Sequence, residues 1–268
     1  MEKRFNRPLR REGFPQRKAQ NDLLVIGLRP VTELLKSEKE IDRVVVSREL
    51  LQRPEGMEIM AVCRQREIPC QVVPAEKLAR ITPKMHQGAV AFISPIAYQK
   101  IEHLVPVLFE EGETPFILVL DRITDVRNFG AIARTAECAG VHAIVVPDKG
   151  AAQIGEDAIK TSAGALHHIP VCRERDLGKT VDFLIESGLT VLACTEKGGE
   201  SVFGLNLEGP VAVVMGSEED GISEFLLRKV HHCAALPQGG KIGSLNVSVA
   251  AGVAMFEVVR QRMLAAAS

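Results

Sequence analysis

The stretch FILVLDRITDVRNFGAIARTAECAGVHAIVV, Phe116 to Val146, decides the fold. Two aliphatic runs, FILVL and HAIVV, flank a segment near 129–139 that reads as a helix. A strand with no polar alternation is buried on both faces, and a helix between two such strands returns the chain to start a parallel neighbour. The same alternation continues to the C-terminus. Strands are expected at IPVC, LTVLAC, VAVVM and CAAL, and helices near 154–163, 177–187, 222–230 and 245–262. This is an α/β pattern: a mostly parallel sheet with helices on both faces. Ligands in such sheets bind outside the carboxyl ends of the strands, so the loops that follow the strands are where chemistry is expected.

Towards the N-terminus the pattern changes. Residues 22–95 offer a short apolar start, a helix with Val31, Leu34 and Leu35 on one face, and a strand DRVVVS. A second helix follows, then CQVV, a third helix and a closing strand GAVAFIS. They form a separate small α/β unit. Residues 96–114, with Pro106 and EEGET, read as a linker with a possible helix near 101–109. Residues 1–21 lack periodicity and are expected to form a flexible arm. Residues 1–18 carry seven Lys or Arg against two Glu, although the whole chain has a formal charge of −1. A basic arm on a mildly acidic body suits either phosphate contact or a solvated tail.

The 268 residues are 46% hydrophobic and 25% charged, ordinary for a globular protein with a sizeable core. The six cysteines form no C-x-x-C pair and sit mostly in apolar segments, as expected for reduced thiols of a cytoplasmic protein. His231-His232-Cys233 is a poor metal set, because neighbours in an extended segment point to opposite faces. No apolar signal segment follows the basic N-terminus, and the run Val247–Phe256 is far shorter than a membrane span.

Three loops carry polar residues that a plain core does not need. In LVLDRITDVRNFGAIARTAECAG, Asp125 or Asn128 can cap the coming helix and Arg134 projects from its body. The neighbours Ile132, Ala133, Thr135, Ala136 and Ala139 are small or apolar, which predicts a well-buried helix around Arg134. In VAVVMGSEEDGIS a strand ends at Gly216, and Glu218, Glu219 and Asp220 follow. Such acids repel phosphate, and neither a P-loop nor a G-x-G-x-x-G motif occurs after any strand. In QGGKIGSLNVSVAAGVAMF, Gln238 to Phe256, a glycine-studded loop leads to a helix whose body looks fully buried. Ser244 is the expected N-cap. Ala250, Ala251, Gly252 and Ala254 are small enough for another helix to approach closely, and they suggest self-association.

Together these loops resemble the three signature motifs of the SpoU family of RNA ribose 2′-O-methyltransferases, in the trefoil-knotted methyltransferase class. The first is Asn128, Arg134, Thr135, Ala136 and Gly140; the second is VVMGSEEDGI; the third is LPQGGKIGSLNVSVA. The resemblance covers about 114–268, giving a catalytic domain at 115–268. The unit at 22–95 resembles the family's L30e-like RNA substrate-binding domain, and the arrangement is most similar to members that methylate a guanosine of 23S ribosomal RNA. Composition and periodicity do not reveal a knot; the resemblance alone implies it.

The resemblance further implies S-adenosyl-L-methionine as cofactor, held at Gly216, Leu236 and Leu245 with Thr195 and Ile222 beside them, and no metal. Arg134 would serve the reacting hydroxyl. Asn128 and Glu218 would orient it, and Ser244 and Asn246 would face cofactor and substrate. The expected partners are RNA and a second copy of the chain, with no membrane. A tRNA substrate, or an RNA-binding protein without catalysis, are the competing readings. A nucleotide-linked oxidoreductase lacks its glycine fingerprint.

Overall fold

The computed structural model describes residues 23–267. The basic arm expected over 1–21 lies outside the described residues. Two sheets organise the rest. The first is four-stranded, in the order β1-β4-β2-β3. It comprises β1 (Leu24–Ile26), β2 (Ile41–Ser47), β3 (Cys70–Val73) and β4 (Ala89–Ile93). Helices α1 (Leu28–Lys36), α2 (Pro54–Gln65) and α3 (Ala75–Ile81) accompany it. Val31, Leu34 and Leu35 of α1 are buried as their spacing predicts, packed with Val44, Val46 and Ile59. Central β2 pairs antiparallel with β4 and parallel with β3.

The second sheet has eight strands, in the order β10-β12-β9-β11-β6-β7-β8-β5. In chain order these are β5 (Tyr98–Gln99), β6 (Phe116–Asp121), β7 (Ala143–Pro147), β8 (Val171–Glu174), β9 (Thr190–Cys194), β10 (Glu200–Ser201), β11 (Val211–Gly216) and β12 (His232–Ala235). Each neighbouring pair is parallel. Alternate residues of β6 supply two cores. Phe116, Leu118 and Leu120 face α5 (Val126–Cys138) and α9 (Val247–Ala266). Ile117 and Val119 face α4 (Ile101–Glu110) and α7 (Leu177–Glu186). Burial on both faces is what the unbroken aliphatic strands require.

Several local expectations change. The segment 96–114 contains β5, an edge strand of the second sheet, and α4, whose first N–H (Ile101) donates 3.1 Å to Glu174 Oε1. The helix near 154–163 is α6 (Glu156–Thr161), followed by a tight turn at Ala165–His167. The helix near 222–230 shrinks to α8 (Glu224–Leu227). The last helix starts two residues late, at Val247, and its cap is Asn246, not Ser244. Asn246 Oδ1 accepts from the Ser248 N–H at 3.0 Å. Nor is α9 buried all round: Val249, Val253 and Phe256 are exposed. Its small residues serve a contact within the chain. Ala251 and Ala254 are buried, and a Cβ on Gly252 would stand 3.5 Å from Thr135 Cγ2 of α5. No helix among the described residues is long and apolar enough to cross a membrane.

Candidate active site

The parallel register brings four strand ends together. Gly216 lies opposite Asp121, Met215 opposite Cys194, and Cys194 opposite Ala234. The loops that follow β6, β9, β11 and β12 therefore share one end of the sheet, with the N-terminus of α9 among them. A cleft of about 330 Å³ opens there. Every residue expected to touch a cofactor lines it: Gly216, Leu236, Leu245, Thr195 and Ile222. Glu218, Ser244 and Asn246 line it too. The volume suits a small organic ligand.

Two glycines shape its walls. A Cβ on Gly216 would fall 2.1 Å from the Gly221 carbonyl carbon, and one on Gly198 would fall 2.5 Å from that of Ala234. No side chain fits at either place. After Gly216 the chain makes a tight loop. The Ser217 and Gly221 backbones bond to each other at 3.2 and 3.0 Å, and Ser217 Oγ accepts from the Asp220 N–H at 3.0 Å. This loop lifts Glu218 towards α9.

Asn246 is the junction of the site. Its Nδ2 donates to Glu218 Oε1 at 2.6 Å and to Asn128 Oδ1 at 3.1 Å. The Val247 N–H, unsatisfied within its helix, donates to the same Glu218 oxygen at 3.3 Å. A carboxylate at a helix N-terminus is electrostatically favoured. Asn128 is held in the first turn of α5, where Asp125 Oδ1 caps the Arg127 and Asn128 N–H groups at 2.8 Å each. Asn246 lines the cleft, Asn128 borders a second hollow beside it with Arg122 and Gly150, and Glu218 lies on both.

Arg134 stands apart. It is exposed, although Phe129, Ile132, Ala133 and Ala136 of that helix are buried, and its side chain makes no hydrogen bond or ion pair among the described residues. It lines neither hollow. Cys194, in the wall of the cleft, has its thiol pushed up to about 11, first by burial and then by Glu196. It is a neutral, apolar wall at neutral pH and no nucleophile. The trio at 231–233 is dispersed: His231 Nδ1 accepts from the Val191 N–H, His232 meets Glu200, and the Cys233 thiol points to the Leu227 carbonyl. Among the described residues no group of three or more His, Cys, Asp or Glu is placed to hold a metal.

Sequence reasoning missed Asp121 and Arg122. Asp121 Oδ2 accepts from the Ser223 N–H at 2.7 Å, and Arg122 donates to Asp220 Oδ2 at 3.3 Å and to the Gly221 carbonyl at 3.1 Å. Together they strap the Glu218 loop to the end of β6. The available signal was their place at the carboxyl end of a buried strand.

Comparison with known proteins bears on this geometry. Residues 115–256 match the SpoU rRNA methylase family, and residues 24–99 match the RNA 2′-O ribose methyltransferase substrate-binding family. YacO of Bacillus subtilis (strain 168), named for the TrmH family of tRNA/rRNA methyltransferases, is 34% identical over 238 residues, which span 89% of this chain and 95% of YacO. The 23S rRNA (guanosine-2′-O-)-methyltransferase RlmB of Yersinia pestis is 39% identical over 182 residues, 68% of this chain and 74% of its own. Among solved structures, an AdoMet-bound rRNA methyltransferase from Sinorhizobium meliloti shares the fold with a TM-score of 0.57 at 24% identity, over 89% of this chain and 87% of that one.

Proposed function

Because this chain belongs to the SpoU rRNA methylase family, we propose that it transfers a methyl group from S-adenosylmethionine to a ribose 2′-hydroxyl of ribosomal RNA, in particular of a 23S guanosine. The observation that carries this reading is the junction at Asn246, which ties a cofactor-sized cleft to the polar pair Asn128 and Glu218. The cleft suits the cofactor: glycine walls permit close backbone approach, and the acidic Glu196 and Glu218 in its lining would favour a cationic sulfonium. Residues 22–95 act as the RNA-binding unit and 115–268 as the catalytic one, joined by 96–114.

S-adenosylmethionine supplies an activated methyl group when bound, held by Gly216, Leu236, Leu245, Thr195 and Ile222. The residues of this chain would orient the ribose hydroxyl towards that methyl group and leave its proton a path to solvent. Asn128, Glu218 and Asn246 hold the ribose in line, and Ser244 closes the cleft from its loop. Arg134 stabilises the developing alkoxide. An arginine with a pKa above about 12 is a poor base at neutral pH, whereas its fixed positive charge suits an oxyanion.

The protein acts as a cytoplasmic homodimer in this reading. The exposed Val249, Val253 and Phe256 on α9 give a second copy an apolar seat. Arg134 is next to Thr135, which lies against Gly252 of α9, and a partner seated on α9 would stand near a guanidinium that has no partner among the described residues. The trefoil threading belongs to the same reading, supported by the loop at Gly198 pressed against the Ala234 backbone.

Ribose-methylation mapping of 23S RNA and tRNA incubated with the protein and cofactor tests the proposal. Methylation confined to a 23S guanosine is expected. Methylation of tRNA alone overturns the substrate, and no binding of S-adenosylhomocysteine by calorimetry overturns the activity.

A further inference from the structure

The two sheets are joined by more than chain continuity. Tyr98, the only tyrosine of the chain, extends the outer edge of the second sheet beside β8. Its hydroxyl nevertheless donates 2.9 Å to Asp42 Oδ1 of β2, in the first sheet. Arg173 of β8 completes the contact. Its guanidinium lies 3.8 Å from the Tyr98 ring centroid and donates to the Asp42 carbonyl at 2.7 Å and the Ile41 carbonyl at 3.2 Å. The Asp42 carboxylate is 3.6 Å from the same guanidinium, and the two side chains are only 13% and 12% exposed. A second tie lies outside it: Lys100 Nζ meets Glu67 Oε2, beyond α2, at 2.7 Å.

Contacts between units of one chain are by default polar, small and mobile. This one has a fork of donors, a stacked ring and a half-matched charge pair, all shielded from water. A planar fork on two carbonyls tolerates little sliding, and separation would leave buried polar groups without partners. The junction also adjoins the site. A hollow of about 120 Å³ lined by Asp42, Arg43, Gln71, Lys149, Gly150 and Arg173 lies at the seam. Gly150 is equally part of the wall beside Asn128 and Glu218.

We infer that Arg173 is a positioning residue for methyl transfer: through Tyr98 and Asp42 it locks the first sheet to the second, and so fixes which ribose of a bound RNA reaches the cleft. The inference rests on the RNA methyltransferase reading above. Arg173 touches no reacting atom in it. RNA gripped by the first sheet is measured against a fixed spacing, and a loosened spacing admits neighbouring riboses.

The test uses the full chain with Arg173→Ala, Arg173→Lys and the milder Tyr98→Phe, which keeps the ring and removes one hydroxyl. Small-angle scattering reads the spacing of the units, and ribose mapping with kinetics reads its consequence. Arg173→Ala is expected to enlarge the radius of gyration, to lower kcat/KM on the principal ribose at least tenfold, mainly through KM, and to spread methylation to adjacent riboses. S-adenosylhomocysteine affinity stays within twofold of the wild type. Arg173→Lys rescues little, because a point charge cannot span two carbonyls and a ring. Tyr98→Phe moves each readout the same way by less, and decides the matter if the arginine variants fail to fold. An unchanged scattering profile in the variants overturns the lock, whatever their activity. An enlarged profile with a single methylated ribose and unchanged KM overturns the positioning role. A wild type that methylates no RNA sinks the activity reading, while scattering still decides the lock.

Discussion

Asn246 performs two separable tasks, and Asn246→Asp and Asn246→Ala divide them. Its Oδ1 caps α9 at Ser248, and its Nδ2 donates to Glu218 at 2.6 Å and Asn128 at 3.1 Å. Alanine removes both. A lost cap costs about 1 kcal/mol, and a lost hydrogen bond to a charged group about 1.5–3 kcal/mol. The site is exposed and water replaces part of the second loss, so a total of about 2 kcal/mol is expected. Aspartate keeps the cap and the favourable helix-end charge, but sets a second carboxylate against Glu218. Two unit charges about 3 Å apart repel by about 1.4 kcal/mol in water and about 5 kcal/mol at an effective dielectric near 20. Exposure favours the lower end, so at pH 7 the aspartate variant should lose about as much as alanine. The two part company in acid. Once the introduced carboxyl is protonated, it can donate to Glu218 as the amide does. Urea unfolding at pH 7 and pH 5, with methylation assayed alongside, reads this. The deficit of Asn246→Asp should shrink by about 1 kcal/mol on acidification while that of Asn246→Ala stays level. Both should be nearly inactive at pH 7. Parallel pH responses, or an aspartate variant with wild-type turnover, would refute the reasoning.

Arg134→Ala should abolish turnover in single-turnover methylation, yet leave the melting temperature and cofactor affinity near wild type, since the Arg134 side chain has no partner among the described residues; near-normal turnover would return it to the surface. Gly198→Ala should lower stability by more than about 2 kcal/mol in denaturant unfolding, because its Cβ would meet the Ala234 backbone at 2.5 Å. If the chain pairs through α9 as proposed, wild type should sediment as a dimer and Phe256→Glu as a monomer, with methylation falling alongside. His142 Nδ1 accepts from the Phe116 N–H at 2.9 Å, and burial holds its pKa below 6.5, with Glu113 opposing and Arg262 adding. Its neutral form stabilises the fold fully above about pH 6.5. That contribution declines as pH falls through the depressed folded value. His142→Asn should flatten the acid side of a stability profile below pH 6.5, and an unchanged slope would contradict this.

The second sheet was legible because its strands are aliphatic without alternation, a pattern that only two-sided burial supports. The cleft was legible from three loops at strand ends. The capping residue was not, because Ser244 and Asn246 are equally good caps. The choice between them depends on where the loop from Leu236 delivers the chain, and that is set by Glu218, which follows β11. The small residues of α9 advertised a close helix contact, but not that the partner is Thr135 of the same chain. The isolation of Arg134 escaped for a related reason. Apolar neighbours bury a helix, yet a residue about 100° round the helix from them can still face water. The lock of Asp42, Tyr98 and Arg173 has no spacing or motif at all. It exists only because an edge strand within an expected linker lies beside β8.

The strand order has a consequence in time. As the chain is made, β6, β7 and β8 emerge in succession and can pair at once, since they are neighbours in the sheet. The other flank of β6 belongs to β11, with Phe116 opposite Val211. Until β11 arrives, β6 presents an open edge of unpaired backbone groups on an aliphatic strand, the kind of edge that joins strands from other chains. Asn246 comes later still, so the nascent protein acquires the Asn128–Glu218–Asn246 junction last of all. Pairing across such sequence distances is slow. A chain halted before β11 therefore lacks that junction while leaving β6 open to strands of other chains.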